Sequence, residues 1–298
     1  MKRTFVPALA VLMLIAGLVP LAAQDAEPFI QIIPRAEIGT LAVLKHLYQS
    51  GDPNPPPGPV GPATLFNYVT QGGQDILFPY QRYAVDIVLA GQHRVTLLYQ
   101  PLTLNTRTVV DRNGSNGGES IWVDGTEFPI GTPLDLTYGF DFWRASYLYD
   151  FAASPDTILG AGLSLQIRNA SIVFSSIDGS LRAVQQNIGP VPILKLRAAH
   201  QFFPGFGLDF EADGFYASSA FFNGSGRPFE GWVWDAALSA RTTLAPGASA
   251  FLVIRSIGGG AKGNNAYDYS SSTTSSPGSY TYNELATLAL SLGFSLQR

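Results

Sequence analysis

The feature of this sequence that most constrains its fold is a period-two alternation of apolar and polar residues, which recurs in segment after segment. The run from Leu288 to Phe294 is typical, because every second residue is leucine or phenylalanine and those between are small or polar. Successive side chains of a β-strand point to opposite faces, so this pattern predicts strands with one apolar face. A face of this size has to be covered by a protein core or by lipid.

The alternation predicts about ten strands. The first is the least regular, since Leu41, Leu44 and Leu47 recur at helical spacing and leave a short helix over 41–47 open. The third is expected to contain a bulge at Pro101. The predicted strands are 29–47, 79–90, 93–109, 133–151, 157–174, 189–202, 207–218, 229–244, 248–257 and 281–295.

The lengths of the connections alternate along the chain. Tight turns are expected at 91–92, 152–156, 203–206 and 245–247. Longer connections lie between them: a Pro/Gly-rich segment after residue 51, then 111–131, 176–187, a loop at Asn223–Gly226, and a Gly/Asn/Ser-rich stretch over 258–279. Short periplasmic turns alternating with longer external loops are typical of outer-membrane barrels, in which an even number of strands puts both termini in the periplasm.

A soluble all-β sandwich or a lipocalin-like barrel is the alternative. The outer face of such a protein is rich in Lys, Glu and Thr, whereas the polar face of these strands is the minority face. Charged residues make up 13% of the chain, and a soluble domain would have about 25%. The composition therefore favours a wall with one face in lipid.

Several function classes are disfavoured by composition. The formal net charge is −4 without a basic patch, which argues against nucleic acid as a partner. Cysteine is absent, so disulfide bonds cannot provide stability. Glycines 258–260 do not lie between a strand and a helix, as the glycines of a phosphate-binding loop would. We expect no cofactor.

The N-terminus is typical of an export signal. Lys2 and Arg3 precede an apolar run over 5–21, and two alanines then offer a cleavage site. A transmembrane anchor is the alternative, although two prolines interrupt the run. We therefore expect a signal peptide over 1–23 and one barrel domain over 24–298.

The polar faces of the strands carry nearly every strand-borne charge. A charge at the lipid midplane costs ~2–4 kcal/mol, so these residues should line the lumen. Ten strands are close to the size that side chains alone can fill, which argues against a wide pore. The predicted lumen charges are Arg82, Asp86, Arg94, Arg144, Arg168, Lys195, Arg197, Asp209, Glu211, Asp213, Asp235, Arg241 and Arg255.

Three carboxylates at alternate positions, Asp209, Glu211 and Asp213, form a stripe on one predicted strand. Such a stripe could be a catalytic carboxylate pair or a divalent-cation site. The more ordinary interpretation is an interior filled by ion pairs with the arginines and lysine of other strands. We predict the ion pairs, and no metal site.

Aromatic residues share outward faces near both ends of the predicted wall. Tyr147, Tyr149 and Phe151 lie beside a tight turn, and Trp232 and Trp234 lie beside a long loop. Two aromatic girdles at the membrane interfaces would have this distribution. A hydrophobic core is the alternative interpretation.

Nucleophilic catalysis has little support, and we predict no catalytic residue. Barrel hydrolases pair a histidine with a nearby serine on the outer wall. His200 is expected to point outward near a tight turn, and His93 lies at another, but no serine at the same height is evident. An embedded lipid- or glycan-modifying enzyme stays the second hypothesis.

Three stretches resemble a group of uncharacterised bacterial outer-membrane barrel proteins. They are 138–151, 162–170 with Phe174, and 187–195. The resemblance covers most of the chain from about residue 75 and implies a barrel without implying an activity. Outer-membrane barrels usually end on an aromatic residue read by the assembly machinery, whereas Phe294 lies four residues before the end of this chain.

The sequence thus predicts an all-β fold: a closed antiparallel transmembrane β-barrel of about ten strands in the bacterial outer membrane, with both termini periplasmic. Its expected role is structural or at the cell surface, or that of a narrow, porin-like path for small solutes. The expected partners are outer-membrane lipid, the assembly machinery and small solutes.

Overall fold

The computed structural model describes residues 29–297 except 56, 59, 220–228 and 265–279. About three quarters of the described chain, 76%, is strand. The strands are β1 (Ile30–Gly51), β2 (Phe66–Asn67), β3 (Leu77–Leu89), β4 (His93–Gln100), β5 (Thr103–Val109), β6 (Ile121–Val123), β7 (Thr126–Phe128), β8 (Pro133–Ala153), β9 (Thr157–Ser176), β10 (Arg182–Phe203), β11 (Phe206–Ser218), β12 (Phe229–Ala245), β13 (Ala248–Asn264) and β14 (Tyr280–Leu296).

Ten antiparallel strands form the wall, with β4 and β5 acting as two halves of one strand. Around the wall the order is β1, β3, β4/β5, β8, β9, β10, β11, β12, β13 and β14. β14 pairs with β1 from Arg35↔Ser295 to Gly51↔Tyr280, which closes the sheet. Every strand of the wall thus pairs with a neighbour on each side over at least part of its length, and the predicted closed ten-stranded antiparallel barrel is confirmed.

The two ends of the barrel differ. We call the end that carries the four tight turns the turn end. Glycines with positive φ angles, Gly91, Gly205 and Gly247, occupy three of these turns, where a side chain would be strained. The first wall residue, Ile30, and the last, Leu296, also lie there. The opposite end, which carries the longer connections, is the loop end.

An apolar band surrounds the barrel. On β9 the outward side chains from Leu159 to Ile167 are apolar, all but Ala161 are exposed, and the next outward residue toward the loop end is Asn169. On β8 the corresponding apolar stretch runs from Trp143 to Phe151. Hydrocarbon is the solvent that fits such a surface. The chain is therefore a transmembrane β-barrel of the bacterial outer-membrane type. No helix in the described ranges has the length and hydropathy of a membrane span.

Two loop-end connections fold back into the mouth of the barrel and plug it. They contribute β2, β6 and β7, whose side chains Phe66, Ile121 and Phe128 are fully buried. Phe66 packs edge-on against Phe174 of β9, with ring centroids 5.2 Å apart. The loop-end half of the lumen thus has a hydrophobic core within the barrel.

The possible helix over 41–47 is wrong, because β1 continues to Gly51. A bulge between Val43 and Lys45 adds one residue to the strand and leaves Leu44 exposed on the outside. The extra residue shifts the alternation by one position, so Leu44 and Leu47 share the outer face although they are three residues apart, whereas Leu41 is buried on the inner face.

Two predicted loops are shorter than expected. β10 already begins at Arg182, so most of the predicted loop over 176–187 is strand. β13 continues to Asn264, where Gly258 and Gly260 provide room for Trp234 and Trp232 on the outer wall: a Cβ atom there would lie 2.1 and 2.4 Å from the indole rings. The predicted signal peptide, the predicted loop at 223–226 and the remainder of the predicted 258–279 loop lie outside the described residues.

Candidate functional site

The predicted lumen charges lie on inward positions of the wall. Twelve of the thirteen are within 4.0 Å of an oppositely charged atom, and Arg168 is the exception among the described residues. These contacts join strands across the barrel. The inward-facing charges of the separate strands therefore form one charged layer in the middle of the barrel.

Asp235 on β12 is the hub of this layer. Its carboxylate lies 3.0 Å from a guanidinium nitrogen of Arg82 on β3, 2.9 Å from Arg144 on β8 and 2.8 Å from Arg255 on β13. Asp235 is fully buried. β3 and β8 each lie four places away from β12 around the ten-stranded ring. Two of these contacts therefore span the lumen near its middle.

From the hub the contacts continue in both directions. Arg255 reaches Glu37 of β1 at 3.1 Å, and Arg144 also contacts Asp213 at 3.0 Å. Each contact joins a cation to a carboxylate, and the chain of contacts ends at Arg197. Thirteen side chains form this continuous set, which we call the lumen network: Glu37, Arg255, Asp235, Arg82, Arg144, Asp213, Lys195, Glu211, Arg35, Asp86, Arg94, Asp150 and Arg197.

The acidic stripe on β11 is divided among different cations. Asp213 bonds Lys195 at 3.0 Å, Glu211 accepts a hydrogen bond from Arg35 at 3.1 Å, and Asp209 pairs separately with Arg241 at 3.0 Å. The three carboxylates do not converge on a common point. Within the described ranges, no group of three or more metal-ligating side chains gathers.

Sequence reasoning missed three members of the lumen network. Arg35 and Glu37 lie on β1, where the predicted strand gave no clear inward face. Asp150 shares inward parity with Arg144 on β8, so its position could have been predicted from the alternation.

The five predicted interface aromatics all occupy outward positions. Tyr147, Tyr149 and Phe151 are exposed beside the turn between β8 and β9. Trp232 and Trp234 lie nearer the loop end, packed over the glycines of β13, and the Trp234 indole donates a hydrogen bond to Ser256 at 3.0 Å. Tyr149 and Phe151 therefore lie toward the turn end of the apolar band and the two tryptophans toward its loop end, whereas Tyr147, the register partner of Leu163, lies in the middle of the band.

The histidines have ordinary hydrogen-bond partners. On the outer wall His93 bonds Tyr147, and His200 bonds the hydroxyl of Thr157, each at 2.8 Å. His46 is buried under the plug and bonds the Gln74 side chain at 2.6 Å. His200 thus has a threonine partner rather than a serine. Among the described residues, no carboxylate forms an ion pair with it.

A cavity of about 410 Å³ lies beside the plug, on the loop-end side of the lumen network. Its walls are mainly apolar, and Arg144 and Gln166 belong to its lining. Arg144 is held by Gln166, whose side-chain oxygen lies 2.7 and 3.0 Å from its nitrogens, and by the network carboxylates. Arg168 also borders the cavity, stacked over the Phe140 ring at 5.7 Å.

No family model matches the chain, and no curated protein matches it. The outer membrane protease OmpT from Escherichia coli is 12% identical over 90% of this chain and 97% of its own, with a TM-score of 0.49. A FadL homologue from Pseudomonas aeruginosa is 9% identical over 90% of each chain, with a TM-score of 0.33. The outer membrane protein AlkL is 12% identical, covering 94% of this chain and 97% of its own, with a TM-score of 0.35.

Proposed function

We propose that this protein is a non-conducting barrel of the outer membrane, with a structural or surface role and no open path for solutes. The observation that carries the proposal is the set of contacts that Asp235 makes with arginines from strands four places away. A second barrier supports it, because the aromatic plug occupies much of the loop-end half of the lumen beside the cavity. A small ten-stranded barrel filled in this way has little room for water.

The orientation belongs to the same proposal. The turn end carries the short connections and both ends of the wall, and short turns are periplasmic in outer-membrane barrels. The loop end, with the plug and the cavity, would then face the cell exterior. Its surface is the part of the protein that other molecules outside the cell would contact.

Planar-bilayer recording tests the proposal against the narrow solute path. We expect no stepwise current from the folded protein in 1 M KCl, because ion pairs cross the lumen. Insertion would be verified by the gel mobility of the unboiled protein, and a porin would serve as the positive control.

Discrete current steps whose size changes in Glu211→Gln would contradict a sealed lumen. Glu211 bridges Arg35 and Lys195 inside the barrel, so its neutralisation would alter any current that follows the lumen. Asp135→Asn is a matched control, since this carboxylate lies on the outer surface.

A further inference from the structure

The barrel wall is incomplete between β10 and β11. These strands pair from Phe203↔Phe206 only as far as Leu194↔Gly214. Beyond that point β10 stays paired with β9 as far as Arg182↔Ser175, and β11 stays paired with β12 as far as Ser218↔Glu230. The two strands therefore separate toward the loop end, and we call this opening the β10–β11 gap.

The sequence of β10 explains why pairing stops there. Pro190 and Pro192 follow the last paired residue of β10, Leu194, toward the loop end. Proline has no backbone N–H, so it cannot donate to a neighbouring strand. β10 stays paired with β9 through both prolines. The edge of β10 that lacks a partner strand here is therefore the edge that faces β11.

The cavity lies directly behind the gap. Its lining includes Val191 and Pro192 from one edge and Phe215 and Ala217 from the other. Gly189, on an inward position of the same stretch, has open space around it, because a Cβ atom added there would meet nothing within 4 Å. Among the described residues, nothing pairs across the gap, which therefore connects the cavity with the outer surface of the barrel.

The gap opens at the loop-end edge of the apolar band. Pro190 is the register partner of Ile167, the last exposed apolar residue on the outer face of β9, and Ile188 is the partner of the polar Asn169. On the other side, Tyr216 and Trp232 are neighbours on the outer wall. Aromatic residues at this height mark the boundary between acyl chains and headgroups. Lipid tails therefore have access to the gap.

Arg168 gives the cavity a specific chemistry. The other cations that line it are paired: Arg144 with Asp235, and Lys262 with Glu230 at 3.1 Å. Arg168 is paired in register with Gly189, immediately behind the gap. Its Nε is buried without a hydrogen-bond partner, and no described carboxylate is within salt-bridge distance. A cation in an apolar cavity favours an anionic group that can accept its hydrogen bonds.

We propose that the cavity binds a single-chain anionic amphiphile, which enters from the external leaflet through the β10–β11 gap. Its carboxylate or phosphate accepts hydrogen bonds from Arg168, and its alkyl chain lies against the apolar walls formed by Phe140, Phe215 and Val233. A volume of about 410 Å³ is within the range of ~300–1,000 Å³ that holds one small ligand. The choice of leaflet rests on the proposed orientation, whereas the binding site does not depend on whether the lumen conducts ions.

Binding of cis-parinaric acid, a fluorescent fatty acid, tests the site. The protein would be held in phosphatidylcholine vesicles, with parinaryl alcohol as the uncharged probe. We expect saturable binding of the acid, reduced roughly ten- to hundredfold in Arg168→Gln, because a charge-assisted hydrogen bond is lost. Binding of the alcohol should change little, and Arg168→Lys should restore part of the affinity for the acid.

Two further variants distinguish the contribution of the cavity's space to binding from that of the Arg168 charge. Gly189→Phe should weaken binding of both probes, because its ring would occupy the open space at the inward position next to Arg168. Arg107→Gln is the control, since Arg107 is exposed on the outer surface. Gel mobility of the unboiled protein would show that each variant is folded. Absence of saturable binding, or equal affinity of the wild type and Arg168→Gln for the acid, would overturn the site.

The route is tested by closing the gap. The chain contains no cysteine of its own, so Pro192→Cys with Tyr216→Cys can be joined by a reducible thiol crosslinker. These positions would be the next outward pair if the pairing of β10 and β11 continued. Crosslinking should slow transfer of parinaric acid from donor vesicles at least tenfold, and reduction should restore it. An unchanged transfer rate would overturn lateral entry.

Discussion

Replacing Asp235 with asparagine should lower the free energy of unfolding by about 3–5 kcal/mol, because removal of one partner leaves buried charges uncompensated. Arg82, Arg144 and Arg255 all direct guanidinium groups at this carboxylate, and each is almost fully buried. Urea unfolding of the protein in lipid vesicles, followed by tryptophan fluorescence, measures the change.

Asp135→Asn is the matched control for this result. Asp135 also pairs with an arginine, Arg107 at 3.4 Å, but both side chains are exposed on the outer wall at the loop end. An exposed pair contributes about 0–1 kcal/mol, so the control should unfold almost as the wild type does. Equal destabilisation by the two substitutions would contradict the central place given to Asp235.

Leu163→Arg should destabilise the barrel by about 2–4 kcal/mol, because an arginine on the lipid face is costly near the bilayer midplane. Leu163 is 63% exposed and lies in the middle of the apolar stretch of β9. Val173→Arg places the same side chain on the same face of the same strand, ten residues nearer the loop end. There the cost should fall to about 0–1 kcal/mol.

Unfolding midpoints in urea, measured in vesicles of one lipid composition, compare the two arginine variants. A soluble barrel would give no difference between the two variants, because water would solvate an arginine equally well at both positions. The comparison therefore distinguishes the transmembrane barrel from the lipocalin-like alternative that the sequence left open.

The alternation in the sequence was sufficient to predict the strands of the barrel wall and the face of each strand on which the charged side chains lie. A period of two determines the face of a strand to which each side chain points, so Arg82, Asp86 and Arg255 could be assigned to one surface. β1 was the exception, since its bulge shifts the alternation and conceals the inward positions of Arg35 and Glu37.

The pairing of particular charges could not be predicted from parity. Arg144 and Asp235 are 91 residues apart and lie on strands that are not adjacent. Their contact depends on the relative heights of the strands, which follow from register around the whole barrel. The β10–β11 gap could not be predicted either. Pro190 and Pro192 indicate that hydrogen bonding to a neighbouring strand is interrupted, but they do not show which of the two neighbouring strands is unpaired.

The plug was also missed. Phe66, Ile121 and Phe128 lie in segments without sustained alternation, where the pattern indicated only irregular connections. A hydrophobic residue in such a segment becomes informative once the barrel mouth that it fills is known. The interior of the loop end is therefore the part of the protein for which the sequence alone was least sufficient.

The account depends most on which surface of the barrel meets hydrocarbon, and spin-label accessibility measures this directly. Because the chain has no cysteine, a nitroxide can be attached after Leu159→Cys, Leu163→Cys, Ile167→Cys or Val173→Cys, one at a time. At 159, 163 and 167 we predict frequent collisions with dissolved oxygen and few with a water-soluble nickel complex; at 173 the order should reverse. Ready access of the nickel complex to position 163 in lipid vesicles would contradict the account.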